Sequence, residues 1–179
     1  MPNWANTTMR VEGNPDAVKA FHDKFCRVPV GLRVGPSWED RKMSDVEPEW
    51  KEYKADGPEC RMWNVIPAPE EIHDEYFSTA SYESKNGNKS NNWYDWNIRN
   101  WGTKWDLRDV LVDMSDVGKN LASYVYNYNT AWGPPVEFMI AASLLYDVQF
   151  NFDGYEEGGI NYAGTIEGGG MRWYKEHGW

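Results

Sequence analysis

Between residues 6 and 12 the side chains of Asn6, Thr7, Thr8, Met9, Arg10, Val11 and Glu12 form a β-prone run that ends at Gly13 and Asn14. Pro15 and Asp16 then open a helix, and Val18, Phe21, His22 and Phe25 recur at helical spacing, so the pattern predicts a strand followed by a helix over Pro15–Phe25. From 27 to 58 the residues Pro29, Gly31, Gly35, Pro36, Pro48 and Pro58 interrupt any long periodic element, and the stretch reads as an irregular insertion. Residues 60 to 66 read as a second strand stopped by Pro67 and Pro69, with Glu70 and Glu71 starting a short helix.

A polar, Gly- and Asn-rich loop is expected over 83 to 92, then a short helix carrying Trp93, Trp96, Ile98 and Trp101 with Gly102 as its stop. Residues 123 to 132 alternate aromatic and polar side chains, which predicts a strand with one wet face. Gly133, Pro134 and Pro135 introduce a helix over Val136–Tyr146, whose expected buried face is Phe138, Met139, Ala142 and Leu145. A strand from 148 to 153, a turn at 155 to 159 and a strand over Ile160–Glu167 complete a hairpin, after which Gly168, Gly169 and Gly170 loosen the tail.

This order is β-α-β, an insertion, then β-α-β-β. Its natural closure is an α+β fold of the ferredoxin-like split βαβ type, an antiparallel sheet with helices on one face. All 179 residues are expected in one domain, with a core at about 4–26, 60–67 and 122–167 and insertions at about 27–58 and 70–118.

Composition narrows the class. A mean hydropathy of -0.77, 26% charged residues and no long apolar run argue against a membrane protein, and the start has neither the basic nor the apolar region of a secretion signal. Cys26 and Cys60 are therefore expected as reduced thiols in a cytoplasm. The net charge of -10 disfavours general binding to phosphate backbones and suits a basic partner, or simply solubility.

Catalytic and cofactor motifs do not emerge. His22 and Cys26 lie four residues apart, a metal-ligand spacing, but core packing explains them more simply, and only Cys60, His73, His177 and carboxylates remain as further ligands. Glycines 168 to 170 lack the framing of a phosphate loop. No enzyme activity, metal or cofactor is expected.

Acidic groups that fit a basic partner are Asp45, Glu47 and Glu49 in the first insertion, Glu70, Glu71, Asp74 and Glu75 on the added helix, and Asp153, Glu156 and Glu157 at the last turn. The last three could also work as paired carboxylates or stand as a solvated turn. Trp101 and Trp105, with Lys104 and Asp106 beside Trp105, offer an aromatic surface that either anchors a partner or pins the inserted helices to the sheet. Tyr124, Tyr126 and Tyr128 supply the competing reading, a stacking face for single-stranded nucleic acid or a nucleotide.

Four separated pieces carry a resemblance: Met1, Pro2, Asn3 and Trp4 with Asn6; residues 100 to 106; residues 130 to 135; and residues 155 to 158. Together they resemble the YubB ferredoxin-like domain family, small proteins of plasmids, phages and other bacterial mobile elements that are largely of unknown function. The resemblance implies a ferredoxin-like fold, a name for topology that brings no iron-sulfur cluster. Ala5 stands where many relatives are expected to carry cysteine, which speaks against metal chemistry at the N-terminus. The resulting expectation is a non-enzymatic accessory protein that binds and inhibits a basic host protein, of the defence or nucleic-acid-handling kind.

Overall fold

The computed structural model describes residues 3–34, 51–69, 93–117 and 122–177. It is an α+β fold built on one six-stranded antiparallel sheet. The elements are β1 (Trp4–Gly13), α1 (Pro15–Phe25), the short strands β2 (Cys26–Arg27), β3 (Arg33–Val34), β4 (Lys51–Glu52) and β5 (Glu59–Cys60), a 3-10 turn (Met62–Asn64), and α2 (Trp93–Trp101). They continue as β6 (Arg108–Val117), β7 (Ala122–Ala131), α3 (Val136–Tyr146), β8 (Gln149–Glu156), β9 (Ile160–Glu167) and β10 (Gly170–His177). The sheet order is β10-β9-β8-β1-β7-β6, so β1 lies between β7 and β8, the two strands that α3 connects.

The period-two pattern assigns the two faces. Ala5, Met9 and Val11 of β1, Tyr126 and Tyr128 of β7, and Phe150 and Phe152 of β8 point to one side and are buried with Phe21, Phe25, Phe138 and Met139 of the covering helices. Phe21 meets Tyr126 and Phe150 edge to face, with centroids 6.3 and 5.4 Å apart. The other face carries Asn6, Thr8, Arg10, Asn127, Asn129, Asn151, Asp153 and Thr165, none of them buried. Cross-strand side-chain bonds knit it, Asn6 to Asn129 at 3.0 Å, Thr8 to Asn127 at 2.8 Å and Thr165 to Asn151 at 2.7 Å.

Several expectations are corrected. Residues 60 to 66 do not join the main sheet; only Glu59–Cys60 is extended, pairing with Cys26–Arg27, and the chain then turns. The reason is side-chain capping, mostly by residues distant in sequence: Asp106 accepts the backbone N–H groups of Met62 (2.8 Å) and Trp63 (3.3 Å), and the buried Asn64 amide donates to the carbonyls of Phe25, Arg27 and Glu59. The edge place in the sheet is taken by β6, whose aspartates at 109, 113 and 116 hide the strand pattern. Gly168 and Gly169, both in the left-handed region, make a tight turn into β10 rather than a loose tail.

Cys26 and Cys60 sit directly opposite one another in the β2–β5 pair, Cα atoms 3.8 Å apart, and form a disulfide, against the expectation of free thiols. That pairing removes Cys26 from any metal site with His22. Leu145 is exposed; Ser143 takes the core position instead, its hydroxyl donating to the Ile140 carbonyl (2.8 Å) and accepting the Gly169 N–H (3.0 Å). No helix among the described residues is long and apolar enough to cross a membrane.

Candidate docking surface at the end of the sheet

The described residues of the four sequence pieces singled out above converge at one end of the sheet. Asn3 and Trp4 open β1 beside the end of β7, and the Asn3 carbonyl accepts the Trp132 backbone N–H at 3.0 Å. On the other side of β1, Trp4 and Glu157 exchange two hydrogen bonds, from the Trp4 N–H to Glu157 Oε2 (2.8 Å) and from the Glu157 N–H to the Trp4 carbonyl (3.0 Å). The buried Thr103 hydroxyl donates to the Ala131 carbonyl at 2.8 Å, which ties the loop after α2 to the end of β7.

That loop is shaped by its own side chains. Gly102 has φ 80°, and its N–H donates to the Asn97 and Ile98 carbonyls at 3.1 Å, closing α2. That left-handed φ is what favours glycine here; a Cβ would also meet the Glu137 carboxylate, the movable end of a flexible side chain. The buried Asn97 amide then donates to the Lys104 carbonyl at 2.7 Å. Trp132 follows β7 at φ 71°, a conformation seldom adopted by bulky residues, and the residue is 45% exposed.

An aromatic and cationic cluster results. Trp4 and Trp105 have centroids 5.9 Å apart, and Tyr94 meets Trp132 edge to face at 6.2 Å. Lys104 Nζ lies 4.6 Å from the centroid of Trp105, 5.4 Å from that of Trp132 and 5.9 Å from that of Tyr94. The Arg108 guanidinium lies over Trp4 at 5.2 Å and near Trp105 at 5.9 Å. Trp4, Tyr94, Lys104 and Trp105 are half-buried, while Trp132 and Arg108 are exposed, so the cluster is a surface rather than a core.

The sequence candidates fare unequally. Trp105 belongs to this surface, but Trp101 is buried, meets Trp96 edge to face and donates its indole N–H to the Ile66 carbonyl at 3.0 Å; it pins α2 onto the segment before it. Asp106 turns inward as the cap of the 3-10 turn, and burial raises its pKa despite the opposing pull of Arg61 and the three N–H groups it accepts. Glu156 is buried with its carboxylate accepting the Gly158 N–H at 2.8 Å, which takes it out of a surface acidic patch. Glu157 is exposed but engaged with Trp4, and Asp153 is exposed on the open face. Asp45, Glu47, Glu49, Glu70, Glu71, Asp74 and Glu75 lie outside the described residues.

The tyrosine stripe of β7 is not on the open face. Tyr126 and Tyr128 are buried beneath the helices, and Tyr124 stacks on His22 at 4.0 Å with planes 4° apart, so these rings are unavailable to bases. The mistake has a simple cause: alternation shows that a strand has two unlike faces, not which one the helices cover. Tyr94, Arg108 and Trp132 were not selected from sequence as site residues. Trp132 stood within one of the four pieces, whereas Arg108 had no signal beyond its type.

No family model matches the chain, and no curated protein matches it. The fold is similar to the crystal structure of a protein api92 from Yersinia pseudotuberculosis, described under the family model DUF1281, with a TM-score of 0.55, 11% identity and both chains covered over their full length.

Proposed function

We propose that this is a non-enzymatic accessory protein that acts by binding a basic host protein, with the open sheet face and its tryptophan-lined end as the docking surface. The observation that carries this reading is the gathering of Trp4, Trp105 and Trp132 around Lys104 and Arg108 at a part-exposed edge. Tryptophan, tyrosine and arginine are the residues that most often anchor protein interfaces. The net charge of -10, with exposed Asp113 and Asp153 on the same face, favours a partner of opposite sign.

The order β8-β1-β7-β6, in which α3 connects two strands that flank β1 and the chain that leaves β1 through α1 re-enters the sheet at β6 with β7 between them, supports the ferredoxin-like reading. With the resemblance to the YubB family, it supports a mobile-element protein that inhibits a bacterial defence machine of the CRISPR or restriction type through that machine's basic nucleic-acid site; the cytoplasmic setting expected from free thiols loses that support with the Cys26–Cys60 disulfide. Single-strand or nucleotide binding on the open face loses its main support with the burial of Tyr126 and Tyr128.

The test is a capture experiment from bacterial lysate at low and high salt, run in parallel with the unaltered chain and a Trp105→Ala, Trp132→Ala variant. A host protein retained by the unaltered chain, weakened by salt and lost from the variant supports the reading. Capture that is identical with both chains sinks it.

A further inference from the structure

We infer that Tyr94, Trp105 and Trp132 form an aromatic cage for a lysine side chain of the partner, and that the chain's own Lys104 fills this cage while the partner is away. The inference deepens the docking proposal and rests on it for the source of the incoming lysine. Three ring centroids lie 4.6 to 5.9 Å from one ammonium nitrogen, so Lys104 Nζ marks the place where a cation sits. The negative face of each ring attracts that charge, and several rings around one ammonium is the arrangement by which proteins recognise alkylated ammonium groups.

The walls are held independently of the lysine. Trp132 is fixed by the Asn3 carbonyl, the backbone of Lys104 by Asn97, and the end of β7 by Thr103. Tyr94 braces Trp132, and Trp4 braces Trp105. The left-handed backbone at Trp132 is a further sign, since an aromatic side chain at φ 71° is retained only where its surroundings enforce it, and here they leave the ring open to solvent.

The occupant, by contrast, is loosely tied. Among the described residues no carboxylate pairs with Lys104, so the rings are what hold its ammonium. A lysine on a flexible four-carbon stem swings into water readily, and an incoming ammonium then replaces it like for like. Lys104 thereby sets a threshold, because a partner lysine must compete with a tethered one.

The test follows the indole N–H signals of Trp105 and Trp132 by NMR while tetramethylammonium, a short oligolysine peptide or neutral tert-butanol is added. In a Lys104→Ala chain both cations should shift these signals with an affinity roughly tenfold tighter than in the unaltered chain, while tert-butanol leaves them in place. Adding Trp132→Ala should remove the response. Equal affinity with and without Lys104, or no response from an otherwise native spectrum, overturns the cage, and a response to tetramethylammonium without one to oligolysine overturns the lysine as its ligand. Host-protein capture is measured separately, so a failed titration with intact capture removes the cage and leaves the docking surface standing.

Discussion

Trp4 and Glu157 close a reciprocal pair of hydrogen bonds, side chain to backbone at 2.8 Å and backbone to backbone at 3.0 Å, across 153 positions of sequence. The pair joins the first strand to the turn after β8 and holds the Trp4 ring beside Trp105 and Arg108. Glu157→Ala should therefore cost about 1 kcal/mol, the net worth of a typical intramolecular hydrogen bond, its exposure offsetting the larger value of a charged acceptor. Glu157→Gln, which keeps an acceptor, should cost less; the two variants' urea midpoints give the comparison.

Asp106 organises the turn at Met62–Asn64 through two of its backbone N–H groups, those of Met62 and Trp63, and also accepts the N–H of its neighbour Leu107. Removing the carboxylate in Asp106→Ala leaves these donors without their acceptor and should destabilise the fold by about 2 to 4 kcal/mol. Equilibrium unfolding of the variant measures it, and a change below about 1 kcal/mol would show that water replaces the carboxylate at little cost.

The Cys26–Cys60 disulfide closes a chain segment with a sequence separation of 34, so by loop entropy its reduction should lower stability by about 3 to 4 kcal/mol. Thermal unfolding with and without reductant is the measurement. The Asn64 amide, which gathers the Phe25, Arg27 and Glu59 carbonyls, should keep β2 against β5 after reduction. A folded but less stable reduced protein is the expected outcome.

His22 stacks on Tyr124, and its Nδ1 lies 2.9 Å from the Tyr126 hydroxyl. Burial lowers its pKa below 6.5, with Asp23 opposing that shift. A depressed value means that the unfolded chain takes up the proton first on acidification, so the contribution of His22 is present above pH 6.5 and is lost as the pH falls through the folded-state value. Relative to His22→Gln, the wild type should lose melting temperature as the pH drops from 7 toward 5; parallel curves for the two proteins would contradict this.

Much of the fold was legible because its elements carry strong local signals. The helix Pro15–Phe25 has its proline start and its buried Val18, Phe21 and Phe25, and Val136–Tyr146 has a proline before it and Phe138, Met139 and Ala142 inside. What failed depended on distant partners. Residues 60 to 66 look like a strand until Asp106, more than forty positions away, caps their backbone, and β6 looks unlike a strand until β7 pairs with it. The site was legible in part: Trp105 and Lys104 stood out by composition, and Trp4 and Trp132 lay within recognisable pieces, but their meeting depends on the antiparallel pairing of Trp4 with Ala131, which no local pattern encodes.

Hydrogen exchange on the protein alone and with its captured partner locates the docking surface directly. Slower exchange confined to the start of β1, the loop from 102 to 107 and the end of β7 is the expected result, with the amides of α1 and α3 unchanged. Protection concentrated on α1 and α3, with none at Trp105 or Trp132, would place the partner on the opposite side of the molecule and contradict the docking surface proposed for it.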